Sequence, residues 1–141
     1  MIDDDARAFI EGQRLARLAT VDERGRPHVV PVCFALVGDV LYTPLDEKPK
    51  RGDPRSLRRV RNLATRADAQ ALFDEYDDGD WSRLRWLQLR GRARLVEPGT
   101  SEHTRAVDAL RGRYPQYRAM ALESRPVIAL DIEQVVSWKA G

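Results

Sequence analysis

Apolar positions along this chain change period several times, and each change marks an element. Ala6, Phe9 and Ile10 recur at helical spacing behind Asp3, Asp4 and Asp5, any of which can cap a helix, and Gly12 would end it. From residue 15 the pattern turns to that of strands. Residues 15–21 read as the first strand, the Gly25 and Pro27 region as a hairpin loop, residues 28–36 as the second strand, and residues 40–45, after Gly38 and Asp39, as the third. Asp53-Pro54 resembles an N-cap followed by proline at the first helical position. The spacing predicts a helix from there to about residue 65, with Leu57, Val60, Leu63 and Ala64 turned inward.

Residues 67–76 contain a fourth strand, followed by an acidic loop that either pairs with basic groups or holds Trp81. Residues 85–96 form a fifth strand, with Leu87, Leu89, Gly91, Ala93 and Leu95 on one face. Trp86, Gln88, Arg90, Arg92 and Arg94 lie on the other. Thr100 caps a helix to about residue 114, and residues 127–138 make the sixth strand, with Ile128, Leu130 and Ile132 sharing a face. Strands joined by connections this short cannot be parallel neighbours. The order α β β β α β β α β therefore predicts a mainly β, α+β Greek-key barrel of six strands in one domain, residues 1–141.

The second strand has unequal faces. His28, Val30, Val32, Phe34 and Leu36 form a bulky side suited to a barrel interior. Val29, Pro31, Cys33 and Ala35 form a slim side that a flat ring can approach. Pro31 cannot donate to a ladder, so it belongs on an edge or beside a bulge. Such an edge either receives a ligand or packs plainly under a helix.

Charge adds the next constraint. Between Lys48 and Arg66 stand eight basic residues and one acid, Asp53, a local charge of +7 in a chain of net charge +2. Lys48, Lys50 and Arg51 precede the helix, and Arg55, Arg58, Arg59 and Arg61 decorate it, a concentration that suits a phosphorylated, polyanionic ligand. One cysteine, Cys33, and two histidines, His28 and His103, exclude an intrachain disulfide and a multi-thiolate metal site. No nucleophile with an adjacent base is visible, so we expect no catalytic side chain and no metal. With no signal peptide and no apolar run of about 20 residues, a cytoplasmic protein that engages no membrane is expected. Nucleic acid is an unfavoured partner, because the net charge is small and no aromatic pair shares a strand face.

Arg17-Leu-Ala-Thr20, Gly25-Arg-Pro27-His28, Val30-Pro-Val32, Leu41-Tyr-Thr43, the Lys/Arg cluster and Arg61-Asn-Leu63, in that order, resemble the pyridoxamine 5'-phosphate oxidase-like split β-barrel superfamily. Four further segments resemble its short actinobacterial branch, the oxidoreductases dependent on the deazaflavin coenzyme F-420. They are Lys48-Pro-Lys-Arg51, Asp80-Trp-Ser-Arg-Leu-Arg-Trp86, Leu89-Arg-Gly-Arg-Ala93 and Val136-Ser-Trp138. The resemblance implies a homodimer of six-stranded barrels, like FMN-binding proteins, with a cofactor at the subunit interface and a small-molecule substrate. It implies that the ring lies near Val30, Pro31, Val32, Cys33 and Thr43. The phosphate would meet Lys48, Lys50 and Arg51, with Arg59, Arg61 and Asn62 as further candidates. Trp81, Trp86 and Arg90 would close the pocket from the partner. The chain departs from shorter relatives by extra residues 51–56, which leaves open the cation that contacts the phosphate. Coenzyme F-420 is the expected cofactor and FMN the alternative. A non-catalytic cofactor-binding protein is the reading from a different functional class.

Overall fold

The computed structural model describes residues 1–45 and 53–141. Helix α1 (Asp4–Glu11) starts as the sequence requires. Asp3 accepts the Ala6 N–H at 2.8 Å, two acids occupy the first turn, and the Gly12 N–H closes on the Ala8 carbonyl. The buried stripe is Ala6, Phe9 and Ile10, with the Arg85 guanidinium 4.2 Å from the Phe9 ring centre.

Seven antiparallel strands follow: β1 (Ala16–Val21), β2 (Pro27–Val32), β3 (Ala35–Val37), β4 (Val40–Pro44), β5 (Asp68–Glu75), β6 (Arg85–Val96) and β7 (Val127–Lys139). They form one sheet in the order β2-β1-β5-β6-β7-β4-β3. The edge strands β2 and β3 are separated by only Cys33 and Phe34. Laid flat, seven strands would hold those edges roughly 29 Å apart. A link of two residues reaches roughly 10 Å. The sheet must therefore curl until its edges nearly meet, a barrel with one seam.

Seven strands correct the expected six. Residues 28–36 do not form one strand, because the Phe34 N–H leaves the ladder to bond the Tyr114 hydroxyl at 3.1 Å, which in turn donates to the Arg14 carbonyl at 2.9 Å. The chain bends at this point and passes from one edge of the sheet to the other. Pro31 does sit on an edge strand, opposite Arg17.

The inner face carries Leu18, Val32, Phe34, Leu41, Phe73, Leu89 and Leu130 in one buried cluster, closed by α1 and by α2 (Arg58–Thr65). A second cluster lies on the opposite face, where α3 (Ser101–Arg113) covers Ala35, Tyr42 and Ala129 with Ala106, Val107 and Leu110. Thr100 caps α3 by accepting the His103 N–H at 3.1 Å. The region around Asp53 also corrects the expectation. Asp53 accepts from the Arg55 N–H and organises a 3₁₀ turn at Pro54–Ser56, and α2 begins separately after Leu57 with no side-chain cap. Inward positions of α2 are Val60 and Asn62, with Leu57 and Leu63 half-buried; Ala64 is exposed.

Strand β6 keeps its two faces: Leu87, Leu89 and Ala93 are buried, and Arg92 and Arg94 are exposed. Its ladder with β7 slips by one residue, Arg90 facing Gln134 and Gly91 facing Ile132, so Glu133 is extra. Glycine is required there, since a Cβ on residue 91 would lie 1.9 Å from the Asp131 carbonyl oxygen.

Candidate functional site

At the seam the chain gathers the residues that the sequence assigns to a planar ring. Along β2, Val30 and Val32 turn into the barrel and Pro31 is exposed on the other side; Cys33 follows, half-buried with a free thiol. Thr43 of β4 is buried, one position beyond the Ala35↔Tyr42 pair that joins β3 to β4. The side chains of Val32 and Thr43 therefore belong to the interior, and Pro31 and Cys33 present the outer surface. Lys48, Lys50 and Arg51 lie outside the described residues.

The arginines of α2 divide by direction. Arg58 and Arg61 are exposed, and Arg59 is half-buried. Arg55 is committed to Glu97, and Arg66 reaches the Glu23 carbonyl at 3.4 Å. Neither Arg58 nor Arg61 forms an ion pair with a described residue, so both cations remain available for an anion. Asn62 is buried, and its amide donates to Thr20 Oγ1 at 3.0 Å, fastening α2 to β1. Its Oδ1 has no partner among the described residues.

Trp86 and Arg90 stand on the outer face of β6. Trp86 faces Trp138 across β7, and Arg90 donates twice to Gln88 Oε1, at 2.9 and 3.2 Å. Trp81 is 65% exposed on a 3₁₀ turn whose N-cap, Asp80, accepts the Ser82 N–H. The acidic loop takes its described ion pairs from Arg17 and Arg83, at 3.1 Å for Asp74 and 3.0 Å for Glu75. It thus holds the turn that carries Trp81. Strands β1 and β5 separate β2 from β6, so Pro31 and Trp86 belong to strands roughly 14 Å apart within one protomer.

Sequence reasoning missed two features. A charged cluster docks α3: Arg94 bonds Asp131 at 2.7 Å and Glu102 at 2.8 Å, and Glu102 accepts from the Tyr42 hydroxyl at 2.7 Å. The Arg94 guanidinium, outweighing some desolvation, holds Glu102 down at about 2. Burial, then the bond to Glu102, pushes Tyr42 up to about 12. The second is a groove of about 450 Å³ on the outer face, lined by Ala19, Val21, Gln70, Arg90, Gly91 and Glu133 among others. Gly91 inside a long strand was its available signal. Among the described residues no group of three metal-binding side chains occurs, and no helix is long and apolar enough to cross a membrane.

Residues 2–139 match the family profile of pyridoxamine 5'-phosphate oxidase, and the chain belongs to that family. No curated protein matches the sequence significantly. Several solved structures share the fold. A pyridoxamine 5'-phosphate oxidase-like protein from Listeria innocua is 22% identical, with a TM-score of 0.69 and 95% of each chain covered. A FAD-binding protein from Mesorhizobium loti is 20% identical, with a TM-score of 0.69, 97% of this chain and 94% of that one covered. The heme storage protein HutZ from Vibrio cholerae is 18% identical, with a TM-score of 0.73, 99% of this chain and 95% of that one covered.

Proposed function

We propose that the protein is a homodimeric oxidoreductase that binds coenzyme F-420 and moves a hydride between it and a small organic substrate. The cofactor supplies the hydride chemistry, and the protein supplies position, exclusion of water and complementary charge. The absence of an acid–base pair from the sequence is consistent with that division of labour. The observation that carries the reading is the cation density on and before α2: Arg58 and Arg61 are exposed and form no ion pair among the described residues, and Lys48, Lys50 and Arg51 precede them in sequence. One FMN phosphate needs fewer cations, whereas the phosphodiester and acidic tail of coenzyme F-420 use them all. The exposed Pro31, with half-buried Cys33 beyond it, fits the approach of a ring.

A second copy completes the site. Trp86 and Pro31 are too far apart on one protomer to touch one ring, and an isologous dimer brings one copy's β6 against the other's β2. Val29 (58% exposed) and Trp138 (49% exposed) are the apolar groups on the outer face that such a contact would cover.

FMN as the cofactor is the second reading, supported by the FAD-binding likeness from Mesorhizobium loti. The heme storage likeness supports a third, a binding protein without turnover. Titration with coenzyme F-420 and with FMN, followed by tryptophan quenching, separates them. We expect micromolar quenching by coenzyme F-420 and a weak response to FMN. Replacing the exposed Arg58 by Ala should weaken coenzyme F-420 severalfold and leave FMN nearly unchanged. Equal losses would refute the tail assignment, and tight binding with no hydride transfer to any acceptor would favour the carrier.

A further inference from the structure

Strand β6 outruns its neighbour β5 and keeps one side open. The two strands pair as far as Asp68↔Arg92, and the Ala93 N–H still reaches the Ala67 carbonyl, whereas β6 continues along β7 to Val96↔Val127. Backbone groups alternate sides along an antiparallel strand, so Leu95, two residues after Ala93, turns its N–H and C=O toward the same open side. Among the described residues no strand stands there. The neighbour is α2, and between helix and strand lies a groove of about 330 Å³, lined by Val60, Arg61, Leu63 and Ala64 of α2 and by Arg94 and Leu95 of β6, with Arg55 at its margin.

The surroundings define the occupant. The walls are apolar: Val60, Leu63 and Leu95 belong to the inner cluster or pack on it, and Ala64 is exposed beside them. Leu95 offers one backbone donor and one acceptor, the pair by which a sheet edge takes up an extended amide. The cations differ in availability. Arg55 is held by Glu97, and Arg94 by Asp131 and Glu102, whereas Arg61 is exposed and forms no ion pair among the described residues. Such a guanidinium matches a carboxylate, which it can bind through two parallel hydrogen bonds. The volume falls at the lower end for small-molecule sites. The groove is also clear of the face that two copies share, since Leu95 lies nine positions along β6 from Trp86, roughly 30 Å.

We propose that this groove binds an N-acylated aliphatic amino acid with a free carboxylate. The amide N–H and C=O of the ligand pair with the backbone of Leu95, its carboxylate meets Arg61, and its alkyl side chain lies against Leu63 and Ala64. The site needs no cofactor. Arg61 is also one of the cations offered to the cofactor anion, so the variant that separates the two sites is made in the apolar wall.

N-acetyl-leucine is a suitable probe at pH 7, with N-acetyl-leucinamide as the uncharged control. In a titration of the full-length protein, the amide NMR signal of Leu95 should move saturably with the acid, and the control should bind about tenfold more weakly. Arg61→Gln should erase that preference. Ala64→Phe fills the groove from the exposed side of α2 and leaves every cation in place. It should abolish probe binding and retain the quenching given by coenzyme F-420 or FMN, whichever the native protein shows. If Ala64→Phe does not fold, Arg61→Gln decides. An unmoved Leu95 signal at millimolar probe, equal affinity for acid and amide, or native affinity in Ala64→Phe would overturn the assignment. Loss of cofactor quenching together with probe binding in Ala64→Phe would do so too, by making the groove part of the cofactor site. So would shifts confined to Val32, Cys33 and Thr43, which would place the probe at the seam and leave the cofactor reading intact.

Discussion

Tyr114 shows how one side chain sets the shape of the barrel. Its hydroxyl accepts the N–H of fully buried Phe34 and donates to the Arg14 carbonyl. In this way it joins the end of α3 to the bend between β2 and β3. Tyr114→Phe keeps the ring and its edge contact with Tyr117 at 5.5 Å, but leaves the Phe34 N–H without a partner. An unmade buried hydrogen bond costs about 1–3 kcal/mol. Urea denaturation should therefore show a lower midpoint with an unchanged slope; an unchanged midpoint would mean that the bend holds itself. The sequence could not announce this role, because Tyr114 is 80 residues from the amide it satisfies. The caps at Asp3 and Thr100 were legible because each partner lies three residues away. Asn62 falls between the two cases. The family resemblance makes it a candidate contact for the phosphate, yet its NH₂ is spent on Thr20, a partner that only the docking of α2 on β1 reveals.

At the scale of elements, period and turn residues located six strand regions and three helices, since alternation and caps are local signals, but not the break that divides residues 28–36 into β2 and β3, nor the 3₁₀ turn that precedes α2. The bulge was not visible as such. Gly91 reads as one more position on the core face of β6, and only the register against β7 shows that its missing Cβ makes room for the Asp131 carbonyl. Gly91→Ala drives a carbon into backbone that cannot yield without breaking the ladder. A loss of about 3 kcal/mol is expected, the upper part of the range for overpacking. Tm and near-ultraviolet circular dichroism would check it, and a wild-type Tm would show that the bulge relaxes.

The docking of α3 carries a pH dependence that follows from Glu102 and Tyr42. Glu102 titrates at about 2 in the fold against an ordinary 4.5. Its contribution is present above about 4.5 and disappears as pH falls toward 2. Tyr42 is displaced upward, from 10.0 to about 12, so its contribution is whole below pH 10 and is lost as pH rises through 12. Glu102→Gln should flatten the acid limb of a stability-versus-pH curve between about 4.5 and 2. The same variant should lower the Tyr42 transition in a spectrophotometric titration, because the carboxylate that retains the phenol proton is gone. An acid limb as steep as that of the wild type would assign acid sensitivity to other carboxylates.

The whole molecule explains why the candidate site was legible only in pieces. Each piece has a local sequence signal: an edge proline at Pro31, a cation run before and along α2, and tryptophans around the start of β6. The curl of the sheet decides which pieces meet. It brings the β2 and β3 edges together and leaves two strands, β1 and β5, between β2 and the strand that carries Trp86. If the site is completed by a second copy, dimerisation and cofactor binding are linked, and weakening one must weaken the other by mass action. Trp138→Ala tests that linkage, because Trp138 is half-exposed on the outer face, opposite Trp86, and is absent from both buried clusters. Removing an aromatic anchor from an interface centre costs about 2 kcal/mol or more, so the dimer Kd measured by sedimentation equilibrium should rise about thirtyfold or more while the monomer stays folded. Cofactor affinity should fall in step at low protein concentration and recover at high concentration, where the dimer re-forms. Affinity that is lost at every concentration would make Trp138 a direct cofactor contact, and affinity unaffected in a monomeric variant would show that one protomer binds the cofactor alone.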